Sequence, residues 1–242
     1  MKALILNSGV GSRLMPLTKN HPKCMTQLSN EETILSLQLK KLSSCGIREV
    51  VMTTGYESEK LIDYGNILCS KLGMTAQFVF NNLFNKTNYI YSIYLAEKFL
   101  HDDILLLHGD LVFDLEVLQK LLQSDCSRMI VSSTTPLPQK DFKAQIIDDQ
   151  IKSVGIDIFE NAVTAQPFYK LLRKDWEIWL SEIIAFCRKN EVNCYAENAF
   201  NQVSAACNIY SCDVKNLLCM EIDNLNDYEK AVKKLNFRKF VI

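Results

Sequence analysis

A chain of 242 residues, 48 % hydrophobic and 23 % charged, has the composition of a globular protein with material for a substantial core. Its 27 lysines and arginines against 28 aspartates and glutamates leave a net charge of -1, which removes the basic field that non-specific nucleic-acid binding needs. Nine cysteines, an odd number with no C-x-x-C pair, argue for reduced thiols rather than a zinc site or a disulfide framework.

Residues 3–6 form a short apolar run bounded by turn residues, which predicts a buried parallel strand. The opening MKALILNSG has too short an apolar run for a signal peptide or a membrane span, so a cytoplasmic protein is expected. A glycine-bearing loop follows. From Glu31, the apolar residues Leu35, Leu39 and Leu42 fall at helical spacing until residues 44–46 stop the pattern. Residues 49–54 (EVVMTT) predict a second strand, 57–72 a helix closed by Gly73, and 76–80 (AQFVF) a third strand. After NNLFNKTN, the spacing in YIYSIYLAEKFL suits a helix, and ILLLHGD at 104–110 reads as a fourth strand. This alternation implies parallel pairing with right-handed crossovers and helices on both faces. The carboxyl ends of the strands, with the first loop and Asp110, would then line one crevice.

The second half is less regular. Residues 129–134 predict a strand, 144–151 and 153–159 a hairpin about Asp148-Asp149-Gln150, and 176–188 a helix with a strong apolar face. No linker, repeat or low-complexity segment divides the chain. The expected fold class is α/β, with a mixed, mainly parallel central sheet flanked by helices and a small insertion on the substrate side.

The first loop reads LNSGVGSRLMPLTKNHPKCM, residues 6–25. It has neither the spacing of a P-loop nor the third glycine of a dinucleotide fingerprint, since Leu14 stands there. Small residues at Ser8, Gly9, Gly11 and Ser12 let backbone N–H groups approach phosphate oxygens, and Arg13 and Lys23 add two cations able to neutralise a polyphosphate. The alternative is a strand-to-helix turn whose charges face solvent. Cys24, beside Lys23, has no base at catalytic spacing and reads as packing.

The run Leu6-Asn7-Ser8-Gly9-Val10-Gly11-Ser12-Arg13-Leu14, with Pro16-Leu17-Thr18 and Pro22-Lys23, resembles the signature loop of the nucleotidyltransferases that join a nucleoside triphosphate to a sugar phosphate or phosphocholine and release pyrophosphate. NKTNYIYSIYLAEKF followed by ILLLHGDLVF, and CMEIDNLNDYEKA near the end, resemble the phosphocholine cytidylyltransferase branch. The resemblance implies a Rossmann-like, GT-A-like fold in one domain, residues 1–242, with a nucleotide-binding half at about 1–115 and an acceptor-binding half at about 116–242. It departs from the family where Asn7-Ser8 replaces two alanines that lie against base and ribose.

By the same resemblance Asp110 and Asp223 hold one Mg2+, a donor set that suits a hard cation keeping waters and phosphate oxygens. Either aspartate alone reads more often as a turn or helix cap. The implied reaction is in-line attack by a phosphate or phosphonate oxygen on the α-phosphorus of CTP. Arg13 is assigned to the leaving β- and γ-phosphates and Lys23 to the reacting ones. Leu6 to Ser8 and the loop would hold the nucleotide, with Thr54, Gly55, Tyr56, Asn82, Asn88 and Ser92 at the base, although Asn88 also suits an N-cap. On the acceptor side Tyr195 offers a ring face and Glu197 a countercharge to an amine. Lys143 is either a clamp for the acceptor phosphate or a solvated strand-edge lysine. Trp176 and Trp179 read as core.

Phosphocholine is the first acceptor expected, 2-aminoethylphosphonate the second, and phosphoglutamine a further one. Alternatives are a sugar-1-phosphate nucleotidyltransferase using UTP or dTTP, and a nucleotide-binding regulatory module without turnover. A homodimer stays open.

Overall fold

The computed structural model describes residues 1–239. The first strand, β1 (Lys2–Asn7), is followed by a loop with two 3-10 turns, Ser12–Leu14 and Lys23–Met25, and by a small ribbon of β2 (Gln27–Ser29) and β3 (Glu32–Thr33). Helix α1 (Ile34–Ser44) starts at a capping box: the Ser36 amide donates to Thr33 Oγ1 at 3.1 Å and the Thr33 amide to Ser36 Oγ at 2.9 Å. Next come β4 (Glu49–Thr54), α2 (Ser58–Lys71), β5 (Thr75–Phe80), α3 (Tyr89–Ala96), β6 (Ile104–His108), β7 (Leu111–Phe113) and α4 (Leu115–Leu122). The second half adds β8 (Ser127–Ser132), β9 (Lys143–Ile147), β10 (Gln150–Gly155), β11 (Ala162–Leu171), α5 (Arg173–Arg188), α6 (Ala196–Val203), β12 (Ile209–Asp213), β13 (Cys219–Glu221) and α7 (Leu225–Lys239).

Nine strands form one sheet in the order β5-β4-β1-β6-β11-β8-β12-β10-β9. The β5-β4-β1-β6 half is parallel throughout, as the strand-helix alternation requires. Antiparallel pairing enters at β11, which lies between β6 and β8. The fold is thus a mixed α/β sheet. The predicted hairpin is β9 and β10, and its turn is Asp148-Asp149, both at positive φ (51° and 63°), residues that tolerate the left-handed region.

Apolar residues of α3, α5 and α6 pack on one face of the sheet, and those of α1, α2 and α4 on the other. Trp176 and Trp179 lie in the first cluster, fully buried, with their indole N–H groups donating to Leu100 O at 2.9 Å and Ala196 O at 2.8 Å. They are core, as expected. A third, smaller cluster joins Leu14 of the first loop to Ile222 and to Ala231 of α7, so the loop and the last helix are fixed to each other. All nine cysteines are free, and among the described residues no helix is long and apolar enough to cross a membrane.

Candidate active site

The loop after β1 is held open for ligands by its backbone. Gly11 sits at φ 68°, and a Cβ there would lie 3.1 Å from Lys23 Cβ, so glycine is needed both for the conformation and for the passage of the Lys23 stem. Thr18, fully buried, donates its hydroxyl to Gly11 O at 2.9 Å and closes the loop on itself. Leu14 anchors it in the core, while Arg13 projects into solvent with a side chain 69 % exposed.

Asp110 and Asp223 are brought together by a strand ladder. Asp110 occupies the turn between β6 and β7, and β7 pairs antiparallel with β13 in a register that sets Glu221 against Leu111. The Ile222 amide then donates to Asp110 O at 3.0 Å, which places Asp223 beside Asp110 despite their distance in sequence. Lys23 Nζ bridges the pair, 2.5 Å from Asp110 Oδ2 and 2.7 Å from Asp223 Oδ1. Arg13 Nη2 reaches the same Asp223 Oδ1 at 2.9 Å. Burial disfavours the ammonium of Lys23, but Asp110 and then Asp223 outweigh that cost and raise its pKa. Burial likewise opposes ionisation of Asp110, and Lys23 and His108 overcome it, so the carboxyl is held below its ordinary range. The other oxygen, Asp110 Oδ1, is buried without a hydrogen-bond partner. A buried anionic oxygen with free lone pairs beside a second carboxylate fits a hard divalent cation.

A second cluster of buried ionisable groups lies behind this one. His108 Nδ1 is 2.8 Å from Glu221 Oε1, and the Tyr89 ring packs edge-on against the His108 ring at 4.7 Å between centroids. Tyr89 donates its hydroxyl to Glu197 Oε2, and Tyr169 donates to Glu197 Oε1 at 2.8 Å. Burial works against the His108 imidazolium, yet the hydrogen bond and charge of Glu221, with Asp110 and Glu197 nearby, raise its pKa to about 8. Burial and the adjacent Asp110 push Glu221 upward as well.

Above these residues opens a cavity of about 580 Å3. Its walls include the expected Leu6, Asn7, Ser8, Gly9, Gly11, Ser12, Arg13, Lys23, Asn88, Ser92, Asp110 and Asp223. Asn88 also caps α3, its Oδ1 accepting from the Tyr89 amide at 2.7 Å, so the capping alternative and the cavity position coexist. Ser92 Oγ donates to Ser8 Oγ at 3.0 Å and accepts from Asn81 Nδ2 at 3.0 Å, a chain joining α3, β1 and the end of β5.

Other expected residues lie elsewhere. Asn82 is exposed and off the wall, whereas Asn81, only 1 % exposed, takes the wall position. Strand alternation accounts for the difference: Asn81 continues β5, its amide donating to Thr54 O at 2.8 Å, and shares the inward face of Val79. Thr54 is fully buried and accepts from Ser58 Oγ at 2.8 Å, Gly55 packs under the Ser8 carbonyl, and Tyr56 donates to Lys19 O at 2.6 Å. All three support the loop from behind. Lys143 is neither a cavity clamp nor a solvated edge residue. It is fully buried, donates to Pro138 O at 2.7 Å and Asp141 O at 3.1 Å, and lies 4.3 Å over the Phe159 ring, which fixes the segment before β9. Tyr195 packs on Phe142 and Tyr89, and Glu197 is 1 % exposed, so both stand behind Tyr89 rather than on the wall. Cys24 is 1 % exposed and burial raises its thiol pKa, as suits packing. Tyr89, His108 and Asn193 also line the cavity; Tyr89 and His108 lie within the runs NKTNYIYSIYLAEKF and ILLLHGDLVF that carry the resemblance, which gives neither of them a role.

The pattern of the family described as nucleotidyl transferase matches residues 2–140, more than half of the chain. The chain belongs to the nucleotidyl transferase family. This transferase is 29 % identical to the CTP:phosphoglutamine cytidylyltransferase of Campylobacter jejuni, over 97 % of the chain and 100 % of that protein. It is 26 % identical to the choline-phosphate cytidylyltransferase of Streptococcus pneumoniae, over 95 % of the chain and 96 % of that protein. The solved structure of the CTP:phosphocholine cytidylyltransferase of Streptococcus pneumoniae superposes with a TM-score of 0.75 at 22 % identity, covering 97 % of this chain and 98 % of that one, which shows the shared fold.

Proposed function

We propose that this transferase is a Mg2+-dependent cytidylyltransferase that moves CMP from CTP onto a small phosphorylated or phosphonylated amine and releases pyrophosphate. The observation that carries it is the joining of Arg13, Lys23, Asp110 and Asp223 in one ion cluster at a cavity whose other wall is the glycine loop. The two relatives aligned over their whole length are cytidylyltransferases acting on phosphoglutamine and choline phosphate, which supports CTP as donor and an aminated phosphate as acceptor.

In this reading residues 1–115 bind the nucleotide and 116–242 complete the acceptor side. Asp110 and Asp223 would hold Mg2+, which supplies charge neutralisation at phosphate oxygens when bound. Backbone N–H groups from Ser8 to Ser12 cradle the phosphates, Arg13 neutralises the departing β- and γ-phosphates, and Lys23 steadies the α-phosphoryl group for in-line attack. The acceptor phosphate is anionic near neutral pH, so no base is required to activate it. Asn81, Asn88 and Ser92 supply amide and hydroxyl groups at the base end. Phosphocholine is the first acceptor to try, followed by 2-aminoethylphosphonate and phosphoglutamine.

The test is pyrophosphate release with Mg2+ and CTP against phosphocholine, 2-aminoethylphosphonate, phosphoethanolamine, phosphoglutamine and glucose-1-phosphate, with UTP and ATP as controls. Turnover confined to CTP and an amine-bearing acceptor is expected. Turnover with glucose-1-phosphate and UTP would replace this reading with a sugar-phosphate one, and CTP binding with no turnover on any acceptor would count against catalysis.

A further inference from the structure

The two cations proposed for the nucleotide's phosphates, Arg13 and Lys23, pair with the two carboxylates proposed for the metal. Lys23 Nζ sits at 2.5 and 2.7 Å from Asp110 and Asp223, and its side chain is only 14 % exposed, so it occupies the space between them. Arg13 takes the same Asp223 oxygen at 2.9 Å. Two positive and two negative charges thus balance in a cluster in which Lys23, Asp110 and Asp223 are mostly buried and Arg13 is exposed. A divalent cation arriving alone must displace an ammonium already hydrogen-bonded to both carboxylates, leaving that ammonium without a partner in a desolvated place. A nucleotide arriving alone must draw both cations to its phosphates, leaving two carboxylates facing each other and the polyphosphate.

We infer that Lys23 holds the metal's place between Asp110 and Asp223, and so makes the protein select the metal–nucleotide complex over either component. The inference rests on the proposed metal site and adds the order in which that site fills. When both components arrive together the partners exchange: the phosphates take Lys23 and Arg13, the carboxylates take the metal, and no charge is stranded. Metal and nucleotide binding are therefore positively coupled, each raising the affinity of the other by the same factor. Gly11 makes the exchange sterically feasible, because the Lys23 stem runs over it where any Cβ would press at 3.1 Å.

The experiment measures Mn2+ bound to the protein by water-proton relaxation, with and without CTP and with no acceptor present, in the wild type, Lys23→Met, Arg13→Ala and Asp110→Asn. Circular dichroism checks that each variant is folded. Wild-type protein is expected to bind Mn2+ weakly alone and on the order of tenfold or more tightly with CTP. Lys23→Met is expected to bind Mn2+ alone at least about tenfold more tightly than wild type and to gain much less from CTP. Arg13→Ala, exposed enough to be tolerated, is expected to move in the same direction by less. Equal Mn2+ affinity of wild type and Lys23→Met, abolished by Asp110→Asn, would overturn the placeholder role while leaving the metal site intact. Mn2+ binding unaffected by Asp110→Asn, or absent from every protein even with CTP, would overturn the role and the site together. None of these readouts depends on turnover or on the acceptor.

Discussion

Gly109 and Asn7 form a steric lock at the carboxyl ends of β6 and β1, and a double-mutant cycle reads it directly. A Cβ added at Gly109 would lie 1.6 Å from Asn7 Oδ1, 2.5 Å from Asn7 Cγ and 2.9 Å from Leu6 O. The backbone at 109 is not left-handed, so the obstacle to alanine is the Asn7 amide rather than φ. Asn7 is 7 % exposed, and its amide is confined within the strand ends, so it cannot swing clear without disturbing the loop. Overpacking of this kind costs about 1–3 kcal/mol, or about 2–12 °C in Tm for a chain of this size. Asn7→Ala removes Cγ and Oδ1, the two nearest atoms, together with an Nδ2 that is buried without a partner. That single change is expected to be within about 1 kcal/mol of neutral. The double variant Asn7→Ala/Gly109→Ala should recover most of the Gly109→Ala loss, with a coupling of about 1–2 kcal/mol. Recovery stays incomplete because the Leu6 carbonyl remains at 2.9 Å. Urea unfolding of the four proteins measures the cycle, and additive losses in the double variant would refute the lock.

Four other outcomes are expected. Under the proposed function, Asp110→Asn and Asp223→Asn should each lower pyrophosphate release at least about 100-fold while the far-ultraviolet dichroism is unchanged, since each removes a charge that would act on the reacting phosphates. Glu197→Leu should cost about 2–4 kcal/mol in urea unfolding, because it strands the hydroxyls of Tyr89 and Tyr169, whereas Glu197→Gln, which keeps an acceptor, should cost less. Asp213 accepts from the Ser133 hydroxyl at 2.6 Å, the Ser133 amide at 3.1 Å and the Lys215 amide at 2.9 Å; burial raises its pKa, and these bonds more than reverse that. Its folded pKa lies below the unfolded 3.8, so its stabilisation is present above that pH and lost as pH falls further, and acid unfolding of Asp213→Asn should be less steep there. Iodoacetamide followed by mass mapping at neutral pH should modify Cys45 and Cys126 before Cys24, Cys69 and Cys207, which are buried with raised thiol pKa.

The first half of the chain is legible because its signals are local: a strand, a glycine loop, then helix and strand alternating within short windows. Strand β11 is not, because Gln166-Pro167 interrupts its pattern and proline argues against an interior strand. The structure accommodates it with a shift of register between Ala165 and Tyr169 in the pairing with β8, so the strand passes the proline and still joins both halves of the sheet. Pairing Asp110 with Asp223 came from a resemblance, and its cause, the β7–β13 ladder, is a contact no local pattern reveals. Asn81 rather than Asn82 reaches the cavity wall because the side chains alternate along the end of β5, a phase that the sequence does not fix to one residue. The burial of Lys143 is not legible either, because a lysine held by two carbonyls and a ring leaves no mark in sequence.

Under the proposed function, the amine of the acceptor is read beside a carboxylate, Glu197, whose lone pairs are already engaged. Glu197 accepts a hydroxyl on each oxygen and so turns no free oxygen toward the cavity, while Glu221 Oε1 lies 2.8 Å from His108 Nδ1. A carboxylate with both oxygens engaged does not distinguish a protonated primary amine from a quaternary one. Under the proposed function, that discrimination falls to Tyr89, the ring that lines the cavity with Tyr195 packed behind it, since an aromatic face accepts a methylated cation without asking for a hydrogen bond. Tyr89→Leu should therefore cost a quaternary acceptor more in KM than a primary one, and Tyr89→Phe, which keeps the ring, should restore the difference.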